Sequence, residues 1–341
     1  MRVLLVTAMY PTPENPAYGS FVRTQAESLK RAGVDLDVLV LRSRFQKLSY
    51  VKGIFQVRRR VARSWVDVIH AHYSYAGVVA RMQRKAPLVV TYHGDDLLGT
   101  IDQTGKKTCW SGAVVALGRL LARYADAAIV QSVEMASKLE RVRVYVLPHE
   151  IDLGVFQPTE REQAREALGL ETNKKYLLFA ANPEIAVKRF PLAKAVAEHL
   201  AEQDPAVELI VVSKETQQRL ALYMSACDAL IFPSYQEGSP NIIKQAMACN
   251  LPIVATDVGD VRQIIGETNG CYVCNPSVTE FAECMKLIFA NRKRTDGREH
   301  VRHLDSSAVA AKLIEVYQQV VRRRDTHAMD GARANSLVVP K

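Results

Sequence analysis

Residues 232–260 read FPSYQEGSPNIIKQAMACNLPIVATDVGD, and the order of residue types in this stretch decides the fold. The apolar run that ends at Phe232 has strand length. A short loop with Glu237, Gly238 and Ser239 follows, and Pro240 stands where proline is favoured at a helix start. The pattern predicts a helix over 241–249 and a further strand over 252–256. Strand, loop, helix and strand, with continuous apolar runs in the strands, form a unit of parallel sheet buried on both faces. The helix start offers free N–H groups and the positive end of its dipole, where a diphosphate can sit. Glu237 would then accept hydrogen bonds from sugar hydroxyls, and Gln245 on the same helix can reach the same cavity. The competing reading is a capped, solvated helix start with Glu237 as a surface carboxylate.

The same alternation extends in both directions. Apolar runs predict strands at 3–7, 35–41, 66–69, 88–92, 127–130 and 144–147, with helical patterns between most of them and the first helix at about 20–32. The stretch at 147–158, LPHEIDLGVFQP, breaks the pattern and marks a domain boundary. Strands then recur at 176–181, 207–212, 229–232, 252–256 and 270–273, with helices at 191–202, 216–225, 278–290 and 306–324. The predicted fold is therefore α/β, two Rossmann-like domains whose parallel sheets face an interdomain cleft. The domains are expected at 1–150 and 151–305, with a helix at 306–324 packing back toward the first domain and a frayed tail at 325–341. Open sheets bind ligands beyond the carboxyl ends of their strands, so the cleft is the expected site.

Composition narrows the function. The chain has 341 residues, 48% hydrophobic and 24% charged, which are globular values. Lys and Arg number 45 against 36 Asp and Glu, a formal charge of +9 that suits an anionic partner. Six scattered cysteines do not make a disulfide framework, and the pair Cys271 and Cys274 lacks a second pair for zinc. Reduced thiols and the lack of any apolar run of membrane-spanning length point to a cytoplasmic protein, soluble or peripheral on the inner face of the cell membrane. Residues 42–63, RSRFQKLSYVKGIFQVRRRVAR, form an irregular basic stretch with eight Lys or Arg, no acid, and Phe45, Tyr50 and Phe55 interleaved. It resembles a segment that rests on anionic lipid; a solvated face and an anionic-acceptor site are the other readings. No recognition motif accompanies the charge, so nucleic acid is not expected. His70, His72 and His93 lie at strand ends without a Cys, Asp or Glu at ligand spacing, which favours packing over a metal. Asp95 and Asp96 are expected to shape the cleft rather than bind metal.

The loop after the first strand has neither a dinucleotide fingerprint nor a Walker pattern. Gly19 before a helix start can let backbone approach a ligand, or it is an ordinary loop glycine. Taken together, Glu237 to Gln245 resembles the E-x7-E signature of the retaining glycosyltransferases of the GT-B fold, family 4 (glycosyl transferases group 1). Gly19-Ser20-Phe21 stands at that family's glycine-rich acceptor loop, and VIHAH (68–72) and TYHGD (91–95) match its histidine-bearing strand ends. LPHEID (147–152), Pro233-Ser234 and LPIVATDVG (251–259) follow in the same order.

The resemblance implies that Lys188 binds the donor diphosphate, Glu237 holds hydroxyls of the transferred sugar, and His93 leans over that sugar. Gly238, Ser239, Pro240, Asn241 and Ile242 would line the sugar and phosphates, position 245 would take the ribose, and Gly19 with Ser20 would admit acceptor and phosphate. No metal or other cofactor is implied, because fixed cations and a helix dipole neutralise the leaving group. Three departures stand out. Gln245 replaces the second glutamate and loses a charge-assisted bond. Ala181-Asn182 replaces the Gly-Arg that commonly precedes the lysine, leaving Arg189 to supply the second cation. The segment between Val212 and Tyr223 is short, so the second domain is compact. The expected function is transfer of a sugar from a UDP- or GDP-sugar to an acceptor hydroxyl on a bacterial polysaccharide or lipid-linked glycan. A nucleotide-sugar 2-epimerase and a non-catalytic nucleotide-sugar binding protein are the alternatives.

Overall fold

The computed structural model describes residues 1–41, 47–102 and 104–336, with the backbone alone at 47–49 and 327–336. Six strands form the first sheet: β1 (Arg2–Thr7), β2 (Asp35–Val40), β3 (Val68–His72), β4 (Leu88–Thr91), β5 (Ala127–Val130) and β6 (Val144–Val146). Their order is β2-β1-β3-β4-β5-β6, and every pairing is parallel. Five strands form the second: β7 (Lys175–Phe179), β8 (Val207–Val211), β9 (Ala229–Phe232), β10 (Ile253–Ala255) and β11 (Cys271–Val273). Their order is β11-β10-β9-β7-β8, again parallel throughout. The fold is GT-B: two α/β units whose strands end toward a shared cleft.

Alternation along each strand explains why the runs are apolar at every position. In β1, Leu4 and Val6 pack into one core while Val3 and Leu5 pack into the core on the opposite face. The terminal helix, Ser306–Ser336, supplies Val309, Leu313, Val316, Tyr317 and Val320 to that second core. The last helix therefore covers one face of the first sheet, although the chain reaches it from the second unit. The second sheet is likewise covered on both faces.

Two segments differ from the sequence reading. Residues 47–63 of the basic stretch form a helix, Lys47–Arg63, rather than an irregular loop, because Ile54, Val57 and Val61 recur at helical spacing and pack into the core. Residues 42–46 lie outside the described residues. The expected tail from 325 is helical as far as Ser336, so the terminal helix runs twelve residues past its expected end at 324; residues 337–341 lie outside the described residues.

The two units touch where neither has a side chain. A Cβ on Gly94 would lie 3.4 Å from the backbone nitrogen of Gly238, and one on Gly238 would lie 2.9 Å from Met135 Sδ. Gly259, at φ +58°, passes so close that its Cβ would meet the Gly238 carbonyl oxygen at 2.6 Å. The Gly94 and Met135 contacts lay the loop before residue 241 against the first unit, and Gly259 backs it from within the second.

Leu313 is fully buried between the terminal helix and the first sheet. Leu313→Ala is expected to lower unfolding stability by about 2–5 kcal/mol, measured by urea denaturation. A loss below about 0.5 kcal/mol would mean that the helix is not packed there.

Candidate active site

Both sheets end at a cavity of about 450 Å³. The first unit contributes Met9, Phe21, Tyr73, His93, Gln131 and His149, and the second contributes Lys188, Ser234 and the run from Gln236 to Ile242. The helix Asn241–Ala248 points its amino end at this space. Pro240 is its N-cap, and no side chain caps it, so its first amides stay available. Gln131 at both amide atoms, Ser234 at Oγ and Asn241 at Oδ1 are buried without a partner. Orphaned polar atoms on a cavity wall are what a polar ligand would satisfy.

Lys188 and Glu237 meet inside the cavity, with Nζ 2.6 Å from Oε1. Lys188 ends a short turn, Ala186–Lys188, that is tied to the signature loop by Tyr235 N–H donating to the Val187 carbonyl at 2.9 Å. Arg189 goes elsewhere. At φ +54° it turns its guanidinium over the Tyr235 ring, 4.5 Å from the centroid, and Nη2 donates to the Pro276 carbonyl at 3.5 Å. It does not line the cavity. Gln245 lies one turn into the helix, half-buried, and does not line it either. Gly19 and Ser20 are also outside. Gly19, at φ +67°, lies so close to Met9 that a Cβ would be 2.5 Å from its carbonyl carbon. The glycine thus lets its own loop fold back, which sets Met9 and Phe21 on the wall.

The wall of the first unit is a stack of imidazoles. His93 Nδ1 lies 3.1 Å from His149 Nε2, and His93 Nε2 lies 3.3 Å from His72 Nδ1. His93 and His149 stack 4.9 Å apart at 13°, and Tyr73 covers His93 at 4.0 Å. Behind them, His70 joins Tyr317 Oη at 2.6 Å and Thr91 Oγ1 at 2.7 Å. Burial holds all four imidazoles below their ordinary value, His72 to about 3. Among the described residues no group of three or more His, Cys, Asp or Glu is placed to hold a metal. Asp96 ties two strand exits together, accepting from the His93 and Ser74 amides at 3.0 Å each. Burial raises it to about 6.

His149, Glu150 and Lys244 are additions to the expected site residues. His149 is on the cavity wall, in the linker at 147–152, and nothing in its spacing singles it out. Glu150 is buried, accepts from Gln25 at 3.2 Å and Ser28 at 3.0 Å, and is raised to about 7 by burial. Lys244 is buried on the signature helix with Nζ unpartnered and is pushed down to about 8 by burial. Nothing in the sequence distinguishes it from a surface lysine.

Two family models match the chain: a Glycosyl transferase 4-like domain over residues 1–151 and Glycosyl transferases group 1 over residues 191–291. A Bacillus subtilis protein assigned to teichuronic acid biosynthesis as a glycosyltransferase is 26% identical over 84% of this chain and 88% of its own. A D-inositol 3-phosphate glycosyltransferase of Xylanimonas cellulosilytica is 26% identical over 82% of this chain and 78% of its own. Among solved structures, sucrose-phosphate synthase from Thermosynechococcus elongatus superposes with a TM-score of 0.79 at 19% identity, covering 94% of this chain and 99% of that one. Anabaena HepE in complex with UDP-glucose gives 0.69 at 16%, covering 94% and 100%. The chain belongs to the group 1 glycosyltransferases and carries their GT-B fold.

The neutral imidazoles make stability depend on pH. Their unfolded counterparts gain protons below the ordinary value of 6.5 while the folded ones do not, so stability is lost as pH falls through that value. Glu150 and Asp96 oppose this, since the folded chain takes up their protons first, but four imidazoles outweigh two carboxyls. Each imidazole contributes about 1.4 kcal/mol per pH unit. The urea midpoint is expected to be lower at about pH 5 than at about pH 7, with a smaller difference in His149→Asn. Equal midpoints at both pH values would contradict the buried stack.

Proposed function

We propose that the cleft takes a nucleoside-diphosphate sugar, UDP- or GDP-linked, and transfers the sugar with retention to a hydroxyl of a growing polysaccharide or lipid-linked glycan. The observation that carries this is the Lys188–Glu237 pair, 2.6 Å apart beside an uncapped helix end in a cavity walled by both units. A diphosphate would take Lys188 and the first amides of the helix, leaving Glu237 to accept hydrogen bonds from the sugar hydroxyls. HepE has been solved with UDP-glucose, and the Bacillus subtilis relative is assigned to polymer synthesis, which supports both halves of the reading.

In the proposed reaction the bond from the anomeric carbon to the diphosphate breaks and the acceptor oxygen bonds on the same face. A phosphate oxygen of the leaving group takes the acceptor proton. Lys188 and the helix dipole stabilise the charge that develops on the diphosphate, so no metal is required. His93, on the cavity wall, packs over the sugar.

Purified protein with donor and acceptor is expected to release nucleoside diphosphate only when acceptor is present, with an unchanged anomeric configuration by NMR and no loss in EDTA. Lys188→Ala is expected to reduce turnover about 100- to 1,000-fold. Donor binding with no turnover for any acceptor, or full activity in Lys188→Ala, would contradict the reading.

The acceptor reading extends to the basic helix Lys47–Arg63. Its inner face packs on the first sheet, and its outer face carries Val51, Lys52, Phe55, Arg58 and Arg59, with Phe55 65% exposed. Apolar and basic groups on one outward face suit an anionic membrane, at about 1 kcal/mol per basic residue. Arg60 is held differently, 2.5 Å from Asp37. Co-sedimentation with anionic vesicles is expected for the wild type and is expected to be lost in the Arg58→Glu, Arg59→Glu variant. Equal sedimentation of the two proteins would remove the helix from membrane contact.

A further inference from the structure

The first sheet carries a second cavity at the edge that faces away from the cleft. It measures about 410 Å³ and is lined by Arg81, Arg84, Arg143, Arg323 and Arg324, with Asp126 as its one acid. These residues come from separate segments. Arg81 ends the helix Ser74–Arg81, and Arg84 stands in the turn before β4. Arg143 precedes β6 and Asp126 precedes β5. Arg323 and Arg324 ride on the terminal helix. The cavity therefore sits at the amino ends of β4 to β6, whereas the cleft lies at their carboxyl ends. A four-residue strand, about 13 Å, separates the two.

The charge there is left unbalanced by the protein itself. Asp126 accepts the Leu88 amide at 2.7 Å through Oδ2, and the same oxygen lies 3.8 Å from Arg81 Nη1. Among the described residues, Arg84, Arg143 and Arg324 enter no ion pair. Arg81, Arg143 and Arg324 are half-buried, so water screens their mutual repulsion less than at an open surface. The terminal helix brings its arginines to this place even so: Arg324 Nη2 donates to the Arg84 carbonyl at 2.6 Å. Guanidinium groups present paired N–H donors that match phosphate oxygens. A phosphate group carries close to two negative charges at neutral pH and several acceptor oxygens.

The geometry points to a binding site in this cavity for a phosphate-bearing ligand, separate from the cleft and completed by the terminal helix. Arg143 from the segment before β6 and Arg324 from the terminal helix hold the phosphate, and Arg81 is released from its loose contact with Asp126 to join them. The site stands whether or not the cleft takes a nucleotide sugar.

The test is calorimetric titration of the full chain with inorganic pyrophosphate at low salt, in three proteins: wild type, Arg143→Gln with Arg324→Gln, and Lys188→Ala. The arginine variant is expected to lose a binding component by at least tenfold in affinity, and the Lys188 variant to keep it. Without ligand, the arginine variant is expected to melt at or above the wild-type temperature, because a repulsion has been removed; a purely structural role would lower it. Phosphatidylglycerol vesicles, set against phosphatidylcholine vesicles, separate the two sources of phosphate. Competition between anionic vesicles and pyrophosphate for the wild type alone identifies a lipid headgroup, and pyrophosphate binding without such competition identifies a soluble ligand. Equal pyrophosphate affinity in wild type and arginine variant, or loss of all binding in Lys188→Ala, overturns the proposal.

Discussion

The cleft is organised around one ion pair that lies mostly out of water. Lys188 and Glu237 are 25% and 15% exposed, and each is the other's ion-pair partner. A pair in such a place gives little net stability, because losing water costs both groups about what their attraction returns. Its chemical value is that it keeps a cation and a carboxylate fixed beside a helix end. A ligand with a diphosphate at one end and hydroxyls at the other can take both partners without leaving either charge alone.

The rest of the architecture keeps that pair in position. The Val187 carbonyl accepts from the Tyr235 amide on the loop that carries Glu237, so the backbones of the two partners are tied together. That loop lies against the first unit at Gly94 and Gly238, where a Cβ on Gly238 would come within 2.9 Å of Met135 Sδ and 3.3 Å of the Gly94 Cα. The terminal helix closes the chain back over the first sheet, and Tyr317 reaches through to His70 behind the imidazole stack. The wall formed by His93 and His149, with His72 behind it, is thus supported from the far end of the sequence.

Much of this architecture is legible in the residues alone, for a physical reason. Central parallel strands buried on both faces, such as β4, β5 and β9, are continuous apolar runs that stand out between turns. The loop from Glu237 to Pro240 and the helix after it are local features, and sequence carries local features well. The basic helix is harder to read because charge obscures its inner face; Ile54, Val57 and Val61 mark it only once a core is there to receive them. The helical continuation from 325 is hidden by a polar composition that reads as a tail. Adjacency to Lys188 suggests that Arg189 enters the cavity, but a left-handed backbone turns it onto Tyr235. His149, Lys244 and the arginine cavity depend on burial or on distant segments meeting, which spacing along the chain does not encode.

The most direct measurement is a crystal structure of the chain with a bound nucleoside diphosphate. The account predicts phosphate oxygens within about 3 Å of Lys188 Nζ and of the amides at Asn241 and Ile242, with Lys188 drawn away from Glu237. A nucleotide lodged elsewhere, with that ion pair intact and the helix end empty, would contradict it.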